Sequence, residues 1–220
     1  MSEYKLIYFP LRARGEAIRY IFAAAEVDYE EELVPIREWP ARKPKTPFGH
    51  LPLLEVSGKH SISQHVTICR FLGKALGLSS KKPVEQAKAD MYVDGISDLW
   101  KPLHTLVGLL FKNEVDSDIF QEPYEKFFKE TLKPVMTKYS QFLAENAHNS
   151  EWFVGEKMSW ADVYIAEILG RQSMFRSDIF EDHPEMWQFV ERVESTPGIR
   201  KRIAARPVYD PSSGLPNWKF

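Results

Sequence analysis

Apolar and polar residues change their period several times over the first 77 positions, and each change marks an element. Lys5 to Phe9 (Lys-Leu-Ile-Tyr-Phe) is a short apolar run rich in strand formers, ended by Pro10. After the basic turn Leu11-Arg12-Ala13-Arg14-Gly15, the residues Ala17, Ile18, Ile21, Phe22 and Ala25 recur at the spacing of one helix face. Tyr29, Glu31 and Leu33 alternate with acidic neighbours and predict a second strand near the surface. From Pro35 to Pro47, prolines and charges exclude a long regular element, so this stretch, with Trp39 and Lys43, reads as a loop. A turn at Pro47 and Gly49 then leads to Pro52, which opens an apolar strand over Leu53 to Val56; proline is tolerated at a strand's first position. Ser57-Gly58-Lys59 reads as a hairpin into His60 to Ser63. Val66, Ile68, Cys69, Leu72 and Leu76 mark a second helix closed by Gly77.

The texture changes after that. Leu78-Ser79-Ser80-Lys81-Lys82-Pro83 is small, polar and proline-ended, and reads as a linker. Beyond it strand alternation fades. Val93, Ile96, Leu99, Trp100, Leu103, Leu106, Val107 and Leu110 hold helical spacing, with Pro102 expected to bend or interrupt the helix. Further helices are predicted over Pro123 to Asn146, from near Ser159, over Pro184 to Glu194 and over Gly198 to Ala204, before an irregular tail from Arg206. Ser159-Trp160-Ala161-Asp162 has the form of an N-terminal capping box, with Met158 and Val163 placed as a hydrophobic staple. Asp162 is therefore read as structural. The pattern gives an α/β domain over residues 1–77, a linker over 78–83 and an all-α helical domain over 84–220.

Composition narrows the function. The 220 residues are 44% hydrophobic and 27% charged, ordinary for a globular protein. A net charge of -2 gives no electrostatic case for nucleic acid or an anionic membrane. With no signal peptide, no apolar run near the ~20 residues of a membrane helix and one cysteine, a cytoplasmic location is expected. The six histidines form no i, i+4 pair and no cluster with cysteine, so no metal site is predicted. Cys69, on the apolar face of its helix, reads as a buried inert thiol.

Leu51–Pro52 is the stretch with most chemical promise. A cis bond would turn the backbone of Leu51 outward as a short edge for an extended peptide. Local sequence favours trans, since only about 5–6% of X-Pro bonds are cis. The wider pattern points the other way. Tyr8, Trp39, Lys43, the turn Phe48-Gly49-His50-Leu51-Pro52 and Gln64, in this order of elements, resemble the glutathione transferases. Among these the sigma class, which includes glutathione-dependent prostaglandin D synthases and S-crystallins, is the most similar. Tyr4 to Phe9, Arg12-x-Arg14-x-Glu16-x-Ile18-Arg19, Glu38-Trp39-Pro40, Thr46 to Val56 and Val93-Asp94-x-Ile96-x-Asp98 carry that resemblance, which runs from about Tyr4 to Pro207.

The resemblance implies a thioredoxin-like first domain that binds glutathione in an extended form. It implies too that Tyr8 donates its O–H to the thiol sulfur, with Arg14 adding positive field. Leu51, beside a cis Pro52, would pair with the cysteinyl unit; Trp39 and Lys43 would hold the glycyl end. Gln64 would meet the γ-glutamyl carboxylate, and Asp98 would reach the γ-glutamyl ammonium from the second subunit of a homodimer. One position departs from the family pattern: His65 replaces a serine. Its backbone N–H remains, so glutathione binding is expected to be retained and weakened. Ser97 stands where the prostaglandin synthases have a further aspartate. Trp100, His104, Leu106 and Gly108, with Phe9 and Phe220, are candidates for a pocket that takes a small hydrophobic electrophile. The expected function is glutathione conjugation, with peroxidase activity through the same thiolate as an extension. A non-catalytic, crystallin-like binding protein and a prostaglandin D isomerase are the alternatives.

Overall fold

The computed structural model describes residues 2–110 and 117–206. The proposed pocket residue Phe220 lies outside these. The described residues form two compact units: 2–80 together with 193–206, and 81–110 together with 117–192.

The first unit is built on a four-stranded sheet in the order β2-β1-β3-β4. Its strands are β1 (Tyr4–Tyr8), β2 (Glu30–Leu33), β3 (Leu53–Val56) and β4 (His60–Ser63). β1 runs parallel to β2 and antiparallel to β3, and β3 pairs antiparallel with β4. A parallel pair needs a crossover, and α1 (Glu16–Ala24) supplies it. Tyr4, Leu6 and Tyr8 alternate inward along β1 and meet Ile18, Ile21 and Phe22 of α1 and Leu54 of β3 in a closed core, with Ile68 and Leu72 from α2 (His65–Ala75). The stretch expected to lack a long element is three short helical turns, Ile36–Glu38, Trp39–Arg42 and Lys43–Lys45. α9 (Pro197–Ala204) lies against α1 so closely that a Cβ on Gly198 would sit 1.9 Å from the Ala23 carbonyl oxygen.

A charged knot closes this unit. The Glu16 carboxylate is fully buried and receives Arg19 Nη1 at 2.9 Å, Arg202 Nη2 at 3.2 Å and Arg206 Nε at 3.1 Å. Burial opposes its ionisation, but Arg19, Arg202, Arg206 and Arg12 together outweigh that and hold the carboxyl down at about 2. Because its folded value lies below the unfolded one, its contribution is present above pH ~4.5 and is lost as pH falls toward 2. That contribution is on the order of 3 kcal/mol. Urea midpoints measured between pH 5 and pH 2.5 should fall steeply in the parent and much less in Glu16→Gln, which starts from a lower value. Parallel curves would assign the acid sensitivity to other carboxylates.

The second unit is helical. It contains α3 (Pro83–Ser97), α4 (Trp100–Leu110), α5 (Asp118–Phe127), α6 (Lys133–Glu145), α7 (Trp160–Gly170) and most of α8 (Pro184–Glu194). Two details differ from the sequence reading. The long pattern breaks at Asp98–Leu99 rather than at Pro102, which sits in the first turn of α4, where a missing N–H costs nothing. The next helix begins at Asp118, five residues before the expected Pro123, which falls inside it. Phe120, Tyr124 and Phe127 are buried at helical spacing across that proline, and their burial outweighs the breaker. A π-turn at Phe128–Leu132 then leads into α6. Helix α7 begins where expected and is buried on every side from Trp160 to Leu169. Its capping box is formed: the fully buried Asp162 accepts the Ser159 N–H through Oδ2 at 2.8 Å and the Phe153 N–H through Oδ1 at 2.8 Å. No helix among the described residues is long and apolar enough to cross a membrane.

Candidate active site

Sheet register brings the separate motifs of the first unit to one edge. Ile7 pairs with Leu53, and Leu53 pairs with Ser63. Tyr8 follows Ile7, Pro52 precedes Leu53 and Gln64 follows Ser63, so the three share one row at the same end of the sheet. The Val34 N–H donates to the Tyr8 carbonyl at 2.8 Å and fixes the end of β1 in that row. The Leu51–Pro52 bond is cis.

Tyr8 is buried to 4% exposure. Its phenol oxygen accepts the Arg14 backbone N–H at 3.1 Å. A hydroxyl that accepts can still donate its own proton, and the accepted bond favours negative charge on the oxygen. The ring rests on Gly15: a Cβ there would come within 2.3 Å of Cδ1, so only glycine lets the turn pass under the phenol. Phe9 extends the surface, with ring centroids 5.6 Å from Tyr8 and 5.4 Å, edge-on, from Trp39. Gly15 is a supporting position that a reading by motif passes over, since its spacing from Tyr8 says nothing of the ring it carries.

Around this row stand the other candidates. Lys43 is exposed, and its side chain lies against Gly49, which has φ +65°, so the turn before Pro52 and the lysine share one face. Trp39 is half-buried, whereas Leu51 and Pro52 are buried. Gln64 is exposed and held at φ 72°, a left-handed backbone costly for a non-glycine residue, immediately before α2. The first turn of α2 presents backbone N–H groups and the positive end of the helix dipole, a ready site for an anion. His65, half-buried, is its first residue. Cys69 is fully buried, as expected, and is not part of this edge. Asp98 belongs to the second unit, where it is exposed just after α3. Ser97 beside it donates to the Val93 carbonyl at 2.7 Å and lies 3.0 Å from the Tyr164 hydroxyl. No group of three or more metal-ligating side chains occurs among the described residues.

The backbone at a cis Leu51–Pro52 bond and the N-terminus of α2, in one row with a buried phenol, suit an extended peptide that carries a thiol. Comparison with known proteins decides the family. The chain is 37% identical to glutathione S-transferase 1 of Ascaris suum, an alignment that covers 94% of this chain and 98% of that protein. This protein belongs to the glutathione S-transferase family. Residues 103–206 match the family model described as "Glutathione S-transferase, C-terminal domain". The hematopoietic prostaglandin D synthase of Gallus gallus is 34% identical over 94% of this chain and 98% of its own. Among solved structures, the glutathione S-transferase from Ascaris lumbricoides superposes with a TM-score of 0.80 at 37% identity, covering 93% of this chain and 98% of that one. The α/β domain followed by helices that the pattern gives, thioredoxin-like as the resemblance implies, is the fold of this transferase family.

Proposed function

We propose that this glutathione transferase is a sigma-like, cytoplasmic, homodimeric enzyme of detoxification. In it Tyr8 activates the glutathione thiol for attack on small hydrophobic electrophiles. The observation that carries the reading is the buried Tyr8 phenol, steadied by the Arg14 N–H, in one row with the cis Leu51–Pro52 edge and Gln64. A free thiol of pKa ~8.5 is only a few per cent thiolate at pH 7, and the thiolate is the nucleophile. A phenolic O–H aimed at sulfur stabilises the anion by ~1.5–3 kcal/mol. Arg14 adds positive field. In this arrangement Leu51 pairs its backbone with the cysteinyl unit, and Trp39 and Lys43 hold the glycyl end. Gln64 and the N–H of His65 receive the γ-glutamyl carboxylate. Asp98 meets the γ-glutamyl ammonium of the partner subunit's ligand. The same thiolate can reduce peroxides.

The glutathione domain is assigned to residues 1–77, the linker to 78–83 and the electrophile pocket to the helical residues 84–220. Conjugation is favoured over prostaglandin isomerisation because Ser97, its hydroxyl engaged with Val93 and close to Tyr164, brings no second carboxylate beside Asp98. The deciding experiment is turnover of glutathione with a generic aryl halide. Saturable conjugation is expected; glutathione bound without turnover would instead favour a crystallin-like binding protein.

His65 gives a separate prediction. An imidazole in place of a hydroxyl removes one compact donor to the γ-glutamyl carboxylate, an effect of about 1 kcal/mol. Calorimetry should find that His65→Ser binds glutathione up to ~5-fold more tightly than the parent. A large loss on introducing serine would make His65 a productive contact rather than a tolerated one.

A further inference from the structure

Arg19 does more than the charged knot requires. Its side chain is 2% exposed, and its guanidinium spreads its donors over four acceptors. Nε donates to Glu31 Oε1 at 2.7 Å, across to β2. Nη1 donates to Glu16 Oε2 at 2.9 Å and to the Leu11 carbonyl at 2.6 Å. Nη2 reaches the Phe9 carbonyl at 3.3 Å. Phe9 directly follows Tyr8 and Leu11 comes two residues later, past Pro10; the Leu11 N–H donates to the Phe9 carbonyl at 2.7 Å. The fork therefore clasps the turn by which the chain leaves Tyr8. Its central carbon also lies 5.7 Å from the centroid of the Tyr8 ring, within the range at which a cation is attracted to a ring face. Arg14 contacts the phenol itself, through its backbone N–H.

We propose that Arg19 is the positioning residue for Tyr8: its guanidinium fixes the turn that carries the phenol and places positive charge behind the ring. It touches no substrate. The inference rests on the reading of Tyr8 as thiol activator and adds to it the group that sets the phenol's acidity and direction. A guanidinium is required rather than an ammonium, because only a planar fork reaches two carbonyls and two carboxylates at once. The charges around it set its strength. Glu16 faces it from its own helix and Glu31 from β2, while Arg202 and Arg206 of the C-terminal segment share Glu16 with it. Glu31 is the half-buried and adjustable member, with 21% of its side chain accessible.

The two sides of this pair predict opposite shifts. Arg19→Lys keeps a charge and loses the fork; the thiol of bound glutathione, read from thiolate absorbance against pH, should titrate ~0.5–1 unit higher. Glu31→Gln keeps an acceptor for Nε and removes the countercharge, so the thiol should titrate ~0.3 unit lower. Because Glu31 is only half-buried and glutamine keeps its size and an acceptor for Nε, this second variant tests the idea even if Arg19→Lys does not fold. In a Tyr8→Phe background both shifts should vanish, since the charge acts through the phenol. Shifts that persist without the phenol would overturn the proposal, as would an unmoved titration in Glu31→Gln. If Tyr8→Phe itself leaves the thiol unchanged, the failure lies with Tyr8 and not with Arg19.

Discussion

Tyr8→Phe should lower the rate of glutathione conjugation at pH 7 by ~10–100-fold while leaving the fold intact. The argument is one hydrogen bond. If the phenol O–H supplies ~1.5–3 kcal/mol to the thiolate, its removal raises the thiol pKa by roughly 1–2 units, at 1.36 kcal/mol per unit. The thiolate fraction at neutral pH falls in proportion. The deficit must then narrow as pH rises above ~9, because both proteins hold an ionised thiol there. This pH dependence separates loss of activation from loss of binding, which would persist at every pH. The substitution also strips a partner from the Arg14 N–H, which now donates to the phenol at 3.1 Å, so a stability loss of about 1 kcal/mol is expected. Rates measured from pH 6 to pH 10 on both proteins test the assignment. Parallel profiles would remove Tyr8 from its role.

The second large effect lies far from chemistry. Asp162→Ala should destabilise the protein by ~3–5 kcal/mol, a large share of the ~5–15 kcal/mol that an ordinary protein has. Alanine would leave the N–H groups of Phe153 and Ser159 and the Ser159 hydroxyl, which donates to Oδ2 at 2.6 Å, without an acceptor. Those groups start a helix that is buried from Trp160 to Leu169, so water cannot replace the carboxylate. Asp162→Asn keeps the volume and one acceptor and should fall between the two. Burial also pushes the Asp162 carboxyl up to about 6, against its hydrogen bonds from Ser159 and Phe153. A raised value has a definite sign: its contribution is fully present below pH ~3.8 and is lost as pH rises through about 6. Asp162→Asn should abolish that slope, and denaturant midpoints across this range would show it. An alanine variant as stable as the parent would leave the box without energetic weight.

Much of the first domain was legible because its elements are short and local. Each of its strands and both helices lie where the apolar period changes, since burial on one face of a sheet or helix imposes a period whatever the rest of the chain does. The helical part is less legible at its breaks. The local pattern takes Pro102 as a break and Pro123 as a helix start, yet the break falls before the first and the helix runs through the second. Proline's cost is a few kcal/mol, and burying Phe120, Tyr124 and Phe127 on one face exceeds it. Such a balance depends on neighbours that the local sequence does not display.

For the site, residue types and order sufficed to reach the family. The supports did not announce themselves. Gly15 matters because the Tyr8 ring lies against it, and Arg19 because its fork meets two carbonyls that only the folded turn presents.

By itself, then, the sequence determined most of the elements and the glutathione transferase family and put Tyr8 forward as the phenol at the end of the first strand, because periodicity and motif spacing are properties of the chain. The family resemblance already implied a cis Leu51–Pro52 bond, and the fold has it; tertiary structure alone decided the register that sets Tyr8, Pro52 and Gln64 in one row and the clasp of Arg19 on the turn beyond Tyr8. Strand register joins residues far apart in the chain, and a buried guanidinium takes whichever acceptors the fold leaves within its reach.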